Sequence, residues 1–243
     1  MSLTPDHTST APTERSNGVV TYLKVLYAPG EAFATLARVP TWGWAAIIGI
    51  LLTLIGTFIL QPATMHFTHI AQEKQLSQMS ADQAAAARQA MAKLPSSFYA
   101  VFGLVAAAIA PWFFWLIGAV VFVIGASLSG GEARFKGAWV MAVNLYIIGA
   151  LGNIISAIIV TLRGVDSINT AADLYALPSL AMFVHGSPKV QMFLYGFNIV
   201  NIWFYIAAVV ALEQVMKMSR GAAIATVVVL AILGACLLAL LAK

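Results

Sequence analysis

Asn198, Asn201 and Tyr205 stand three and seven residues apart in FNIVNIWFY, so on a helix they share one face inside a run of about 25 mostly apolar residues. A second polar stripe, Tyr146, Gly149, Asn153 and Ser156, follows the same helical spacing in an earlier apolar run. Two such stripes in one bundle are expected to meet. Where they meet they could line a solute path or ligand pocket between the third and fourth membrane spans. They could equally fix a helix pair, because small residues let backbones approach and amides bond across the contact for about 0.6–2 kcal/mol. Helix pairing asks for less and is the reading carried forward.

Three other groups could do chemistry. Glu213, beside Gln214, is the only acid in the fourth apolar run, and an intramembrane carboxylate is a functional candidate by default. Lys217 follows it by four residues, so an ion pair along the helix near the headgroups explains it more simply. His66, His69 and Glu73 fall at i, i+3 and i+7, a face that zinc or copper could use. No fourth ligand or supporting shell can be named, since the position of His185 relative to that face is unknown, and a solvated polar face suffices. The segment SGGEARFKG lacks the GxxxxGK-Ser/Thr arrangement that cradles phosphates, so its glycines read as a tight turn. Its Arg134 and Lys136 can attract anionic headgroups at about 1 kcal/mol each. No nucleophile–base pair, paired carboxylate or HExxH is present, so no catalytic, cofactor or metal site is expected and the chain is not read as an enzyme.

Composition says what must position these groups. Of 243 residues, 61% are hydrophobic and 9% charged, which describes an integral membrane protein. The formal net charge of +4 is scattered, leaving no footprint for nucleic acid. The single cysteine, Cys236, excludes a disulfide within the chain and a multi-cysteine metal site. The polar N-terminus has no apolar core of a signal peptide, so the first span is expected to direct its own insertion.

Along the chain, residues 1–18 read as a disordered tail and 19–243 as one membrane domain. The lead-in VVTYLKVLYAPGEAFATLARVP predicts two short amphipathic helices on the membrane surface, the second opened by Pro29 and carrying Phe33 and Leu36 on its apolar face. Spans are predicted at about 41–60, 97–128, 138–162, 188–216 and 222–242. Trp42 and Trp44 suit the headgroup boundary of the first, and Pro111 predicts a kink in the second. Between these two spans, residues 65–97 predict an extramembrane helical hairpin, with Ser80 and Gln83 spaced as a capping box for a helix reaching about Leu94. Residues 163–188 are too interrupted to span, and LYALPSLAMFV should dip into the interface or pack across the bundle top.

The fold expected is therefore all-α: a five-helix transmembrane bundle with N-terminal amphipathic helices and that hairpin. Five spans put the termini on opposite sides. With the N-terminus inside, the inner segments carry Arg15, Lys24, Arg38, Arg134, Lys136, Lys217 and Arg220, against Lys74, Arg88, Lys93, Arg163, Lys189 and Lys243 outside. The totals nearly tie, but the two tight turns with Arg134, Lys136, Lys217 and Arg220 are the informative loops and favour a cytoplasmic N-terminus.

The motifs YLKVLYAPGEAFATL, LSGGEARFKGAW and FNIVNIWFYIAAVVALEQVMKMSRGAA, in this order over roughly residues 20–240, resemble the Yip family (Ypt-interacting proteins) in its prokaryotic branch. The resemblance implies five membrane helices with a cytosolic N-terminus. For eukaryotic members it also implies small-GTPase binding and a role in vesicle traffic. The short Thr-rich tail departs from their longer cytosolic regions, so GTPase binding is not carried over to this chain. The expectation is a polytopic protein of a bacterial inner membrane, a scaffold or adaptor that touches lipids or a protein partner through Lys24, Phe33, Arg134, Phe135, Lys136, Lys217 and Arg220. The alternative is a small-solute transporter or lipid-translocating protein using the polar faces of Tyr146, Asn153 and Ser156 and of Asn198, Asn201 and Tyr205.

Overall fold

The computed structural model describes residues 17–93, 96–184 and 186–241. Most of the expected polar tail with Arg15, the anticipated helix end at Leu94, His185 and Lys243 lie outside the described residues.

Among the described residues all regular structure is helical: α1 (Gly18–Lys24), α2 (Pro29–Arg38), α3 (Gly43–Leu76), α4 (Ala81–Ala92), α5 (Ser96–Ser129), α6 (Phe135–Arg163), α7 (Pro188–Tyr195), α8 (Ile199–Val215) and α9 (Arg220–Leu241), with short 3-10 turns between α6 and α7. Four of these, α3, α5, α6 and α9, are long and apolar enough to cross a membrane. Large apolar side chains stand exposed on their outer faces, among them Leu51, Phe58, Phe102, Phe113, Ile117, Leu233 and Leu237. Exposed apolar surface on that scale is unfavourable in water and suits lipid. The chain is an integral membrane protein.

α6 is the most buried of the four and organises the rest. It runs parallel to α3 in a fixed register, seen in three successive contacts. Trp42, just before α3, stacks edge-on against Trp139; a Cβ on Gly49 would meet the Tyr146 ring at 3.1 Å, and one on Gly56 would meet Asn153 Nδ2 at 2.6 Å. Ala63 and Val160 share a buried cluster one step further on. Each step is seven residues on both helices, the repeat that keeps one seam facing its partner through knobs-into-holes packing. Glycine and alanine on α3 form the holes, and Tyr146, Asn153 and Val160 fill them.

α8 lies antiparallel to α6, since Gly152 faces Val200 and Gly137 faces Val215. α9 is antiparallel to α5 through Gly125 against Thr226 and Gly131 against Met218. The bundle end with the start of α3 therefore also holds α1, α2, the 130–134 loop, the end of α8 and the start of α9. Asn144, almost fully buried on α6, ties that end together by donating to the carbonyls of Thr41 (3.0 Å) and Val140 (2.8 Å).

At about 1.5 Å per residue the 34 residues of α3 span about 51 Å, well beyond a bilayer core of about 30 Å. Helix α3 thus continues through Pro62 and projects past the membrane. It meets α4, whose N-terminus carries the Ser80–Gln83 capping box. An exposed Glu73–Arg88 bridge of 3.5 Å links the two arms. Helix α5 is also continuous through Pro111.

Three expectations are corrected here. Residues 188–216 are not one helix, because the chain breaks at Gly196–Asn198 into α7 and α8. Phe33 is 0% exposed: the apolar face Ala32, Phe33 and Leu36 of α2 docks onto the bundle end, mainly against α8, so Phe33 is an anchor and not an outer contact. No ion pair joins Glu213 to Lys217 among the described residues, since α8 ends at Val215 and Lys217 turns away with φ 53°.

Candidate functional site

The intramembrane polar groups gather at a backbone break and along α6. The backbone break between α7 and α8 frees carbonyls and amides that lipid cannot satisfy. Asn198 caps α8, its Oδ1 accepting from Asn201 N at 2.9 Å, and its Nδ2 donates to Tyr195 O at 3.1 Å. Asn201 Nδ2 and Tyr205 Oη both donate to Gly196 O, at 3.0 and 3.2 Å. All three side chains are spent on the backbone of their own segment. Gly196 lacks a side chain because a Cβ there would lie 3.1 Å from the Cα of Ala235 on α9. The preceding loop closes over the break, with Ile199 N donating to Pro178 O and an isolated bridge between Ser179 and Asn198. In the same loop Phe183 is 82% exposed, so LYALPSLAMFV both covers the bundle and presents apolar side chains outward.

The other stripe faces elsewhere. Tyr146 Oη hydrogen-bonds Thr53 of α3 at 3.0 Å, and Asn153 packs against Gly56. Ser156 accepts from Ala176 N and donates to Leu174 O in the covering loop. The expected meeting of the two stripes is thus overturned: α3 and the loop take one, and the helix break takes the other. Helical spacing identifies a face correctly but not which neighbour it meets.

His66, His69 and Glu73 do lie on one helix, α3, yet the Glu73 carboxylate is engaged by Arg88 at 3.5 Å. No group of three or more His, Cys, Asp or Glu side chains suited to a metal occurs among the described residues.

The remaining chemistry is at the other end of the bundle. A groove of about 550 Å³ opens between α2, the 130–134 loop, the first turn of α6 and the end of α8. Arg38, Arg134, Lys136 and Lys217 line it, with Glu132 the one acid and Leu36, Ala37 and Val215 among its apolar residues. Loop and helix end are locked by Glu132 N donating to Met216 O at 2.7 Å, and by the tight approach of Gly131 to Met218. Arg134 Nη2 meets the Glu132 carboxylate at 3.2 Å, whereas Arg38, Lys136 and Lys217 make no ion pair among the described residues. Lys217 adopts a left-handed backbone, and Met218 N reaches back to Leu212 O at 3.3 Å to close the end of α8. That position favours glycine, and a lysine there costs about 1 kcal/mol.

Around the groove, Arg220 opens α9 and is exposed, and Phe135 stacks on Trp139. Lys24 is bound to Glu31 at 3.0 Å, and that hydrogen bond and charge raise its pKa. Tyr22 wedges its hydroxyl against Gly49, where burial and then the Tyr146 phenol push its pKa up. Thr53, Asn144 and Gly196 escaped the sequence reading, and Arg38 entered it only as an inner cation and not as a contact residue. The seven-residue spacing of Gly49, Gly56 and Ala63, which matches that of Tyr146, Asn153 and Val160, was the signal available for pairing α3 with α6.

The bundle, its lipid-facing shell and its basic end define a polytopic helical membrane protein. The family profile described as Yip1 domain matches residues 23–241, and the chain belongs to that family. Neither a curated protein nor a solved structure matches it.

Proposed function

We propose that this Yip-family protein works by contact, as a scaffold or adaptor in membrane organisation, and that its basic end is the working face. The observation that carries the reading is how the polar groups divide. Tyr146, Asn198, Asn201 and Tyr205 within the membrane are spent on internal hydrogen bonds, while Arg38, Lys136, Lys217 and Arg220 stand exposed and unpaired among the described residues.

In this account the membrane domain crosses the bilayer five times, α7 and α8 together supplying the crossing that the four longest helices lack. α8 alone covers about 25 Å, and its antiparallel run beside α6 supports that count. Helices α1 and α2 form the amphipathic lead-in, with Val20, Leu23 and Tyr27 turned outward toward lipid. The N-terminus is cytoplasmic and the membrane a bacterial inner membrane. The orientation follows from the cations of the two tight turns; the opposite end mixes Lys74, Arg88, Lys93 and Arg163 with Glu73, Asp82, Asp166 and Asp173. The residues expected to touch lipid or a protein are Lys24, Arg134, Phe135, Lys136, Lys217 and Arg220, joined now by Arg38. A transporter built on the two polar stripes has less support, because the stripes face different neighbours.

Charge reversal at Arg134, Lys136, Lys217 and Arg220 tests the reading. Purified in mild detergent, the variant should lose lipids or proteins that the wild-type chain retains. An unchanged set of bound partners would sink the proposal.

A further inference from the structure

Resting on the contact reading and naming the occupant of that same face, we propose that the groove between α2, the 130–134 loop and the end of α8 binds the phosphate-bearing headgroup of an anionic membrane phospholipid. Charge is the first ground. Arg38, Arg134, Lys136 and Lys217 converge on it, and its one acid, Glu132, is already engaged by Arg134 at 3.2 Å. Three cations are left with no counter-charge in a concave site, which is an arrangement complementary to phosphate.

Depth is the second ground. Trp42 and Trp44 precede and open α3 at this end, with Trp44 60% exposed, and Phe135 is the residue between groove-lining Arg134 and Lys136. Exposed aromatic side chains at a bundle end mark headgroup level. The accessible apolar residues Ala37, Pro40 and Val215 within the groove suit the glycerol and first methylenes of a lipid better than a free anion.

Backbone strain is the third. Lys217 holds a left-handed conformation where glycine would sit without penalty, so the position keeps a cation against its backbone preference. Because the lining comes from four separate segments, a bound phosphate would also clamp α2 to the loop and to the end of α8.

The test uses the full chain in detergent, with native mass spectrometry counting retained phosphatidylglycerol against phosphatidylcholine. The wild type should keep one phosphatidylglycerol per chain in preference to phosphatidylcholine. Lys217→Gly should weaken that retention about fivefold, corresponding to about 1 kcal/mol per surface cation, while melting no lower than the wild type. Arg38→Gln with Lys136→Gln and Lys217→Gly should weaken it more than twentyfold, whereas Lys74→Gln with Lys189→Gln at the opposite end should leave it unchanged. Equal retention of the two lipids, or a phosphatidylglycerol preference that survives the triple variant, would overturn the proposal. If lipid preference is absent but charge reversal still strips a co-purifying protein, the occupant is an acidic protein segment and the contact reading stands alone. Loss of neither lipid nor protein overturns both.

Discussion

Asn198→Leu combined with Asn201→Leu should lower the stability of the protein by about 2–4 kcal/mol. The cap given by Asn198 to the first turn of α8 is worth about 1 kcal/mol. The double variant also removes the Asn198 bond to Tyr195 O and the Asn201 bond to Gly196 O, which keeps Tyr205 as a donor, each worth about 0.5–1.5 kcal/mol. These losses fall on one small network, so they should not add simply. Thermal unfolding in detergent reads the total. Hydrogen exchange should localise it to the end of α7 and the first turn of α8, with α3 and α6 unaffected. A double variant as stable as the wild type would mean that the break does not depend on these amides.

Gly56→Val should destabilise by a similar amount, about 2–3 kcal/mol, through overpacking of the α3–α6 seam. The added Cβ would fall 2.6 Å from Asn153 Nδ2, 3.1 Å from its Cγ and 3.3 Å from the backbone nitrogen of Ile154. The first two atoms can be removed and the third cannot. Asn153→Ala in the same chain should therefore recover part of the loss, and with the smaller Gly56→Ala most of it. Absence of any rescue would show that α3 and α6 do not pair in this register. The cycle also separates the two uses of membrane asparagines: Asn153 fills a hole and can be truncated, whereas Asn198 and Asn201 hold up a broken backbone.

The same contrast explains what could be read in advance. Long apolar runs gave α3, α5, α6 and α9 because a bilayer demands length and hydropathy, both of which are local in sequence. The capping box at Ser80 and Gln83 was legible for the same reason. The break at Gly196–Asn198 was hidden, since hydropathy averages over it and treats residues 188–216 as one greasy segment. Its marks were nonetheless there, with Pro188 to open one helix, Gly196 after its end and Asn198 to cap the next. Phe33 was misplaced because an amphipathic helix has a face but does not say whether lipid or protein covers it; here α8 does. Arg38 joins Arg134 and Lys217 in one groove across long stretches of chain, a relation that no spacing rule contains.

The central claim is that the protein acts through contacts made at its basic end. A photo-reactive residue placed in turn at Lys136 and Lys217, and in control chains at Lys74 and Lys189, tests it in intact cells. The account predicts defined cross-linked species, lipid or protein, from positions 136 and 217 and none specific to positions 74 and 189. Cross-links confined to positions 74 and 189 would contradict it.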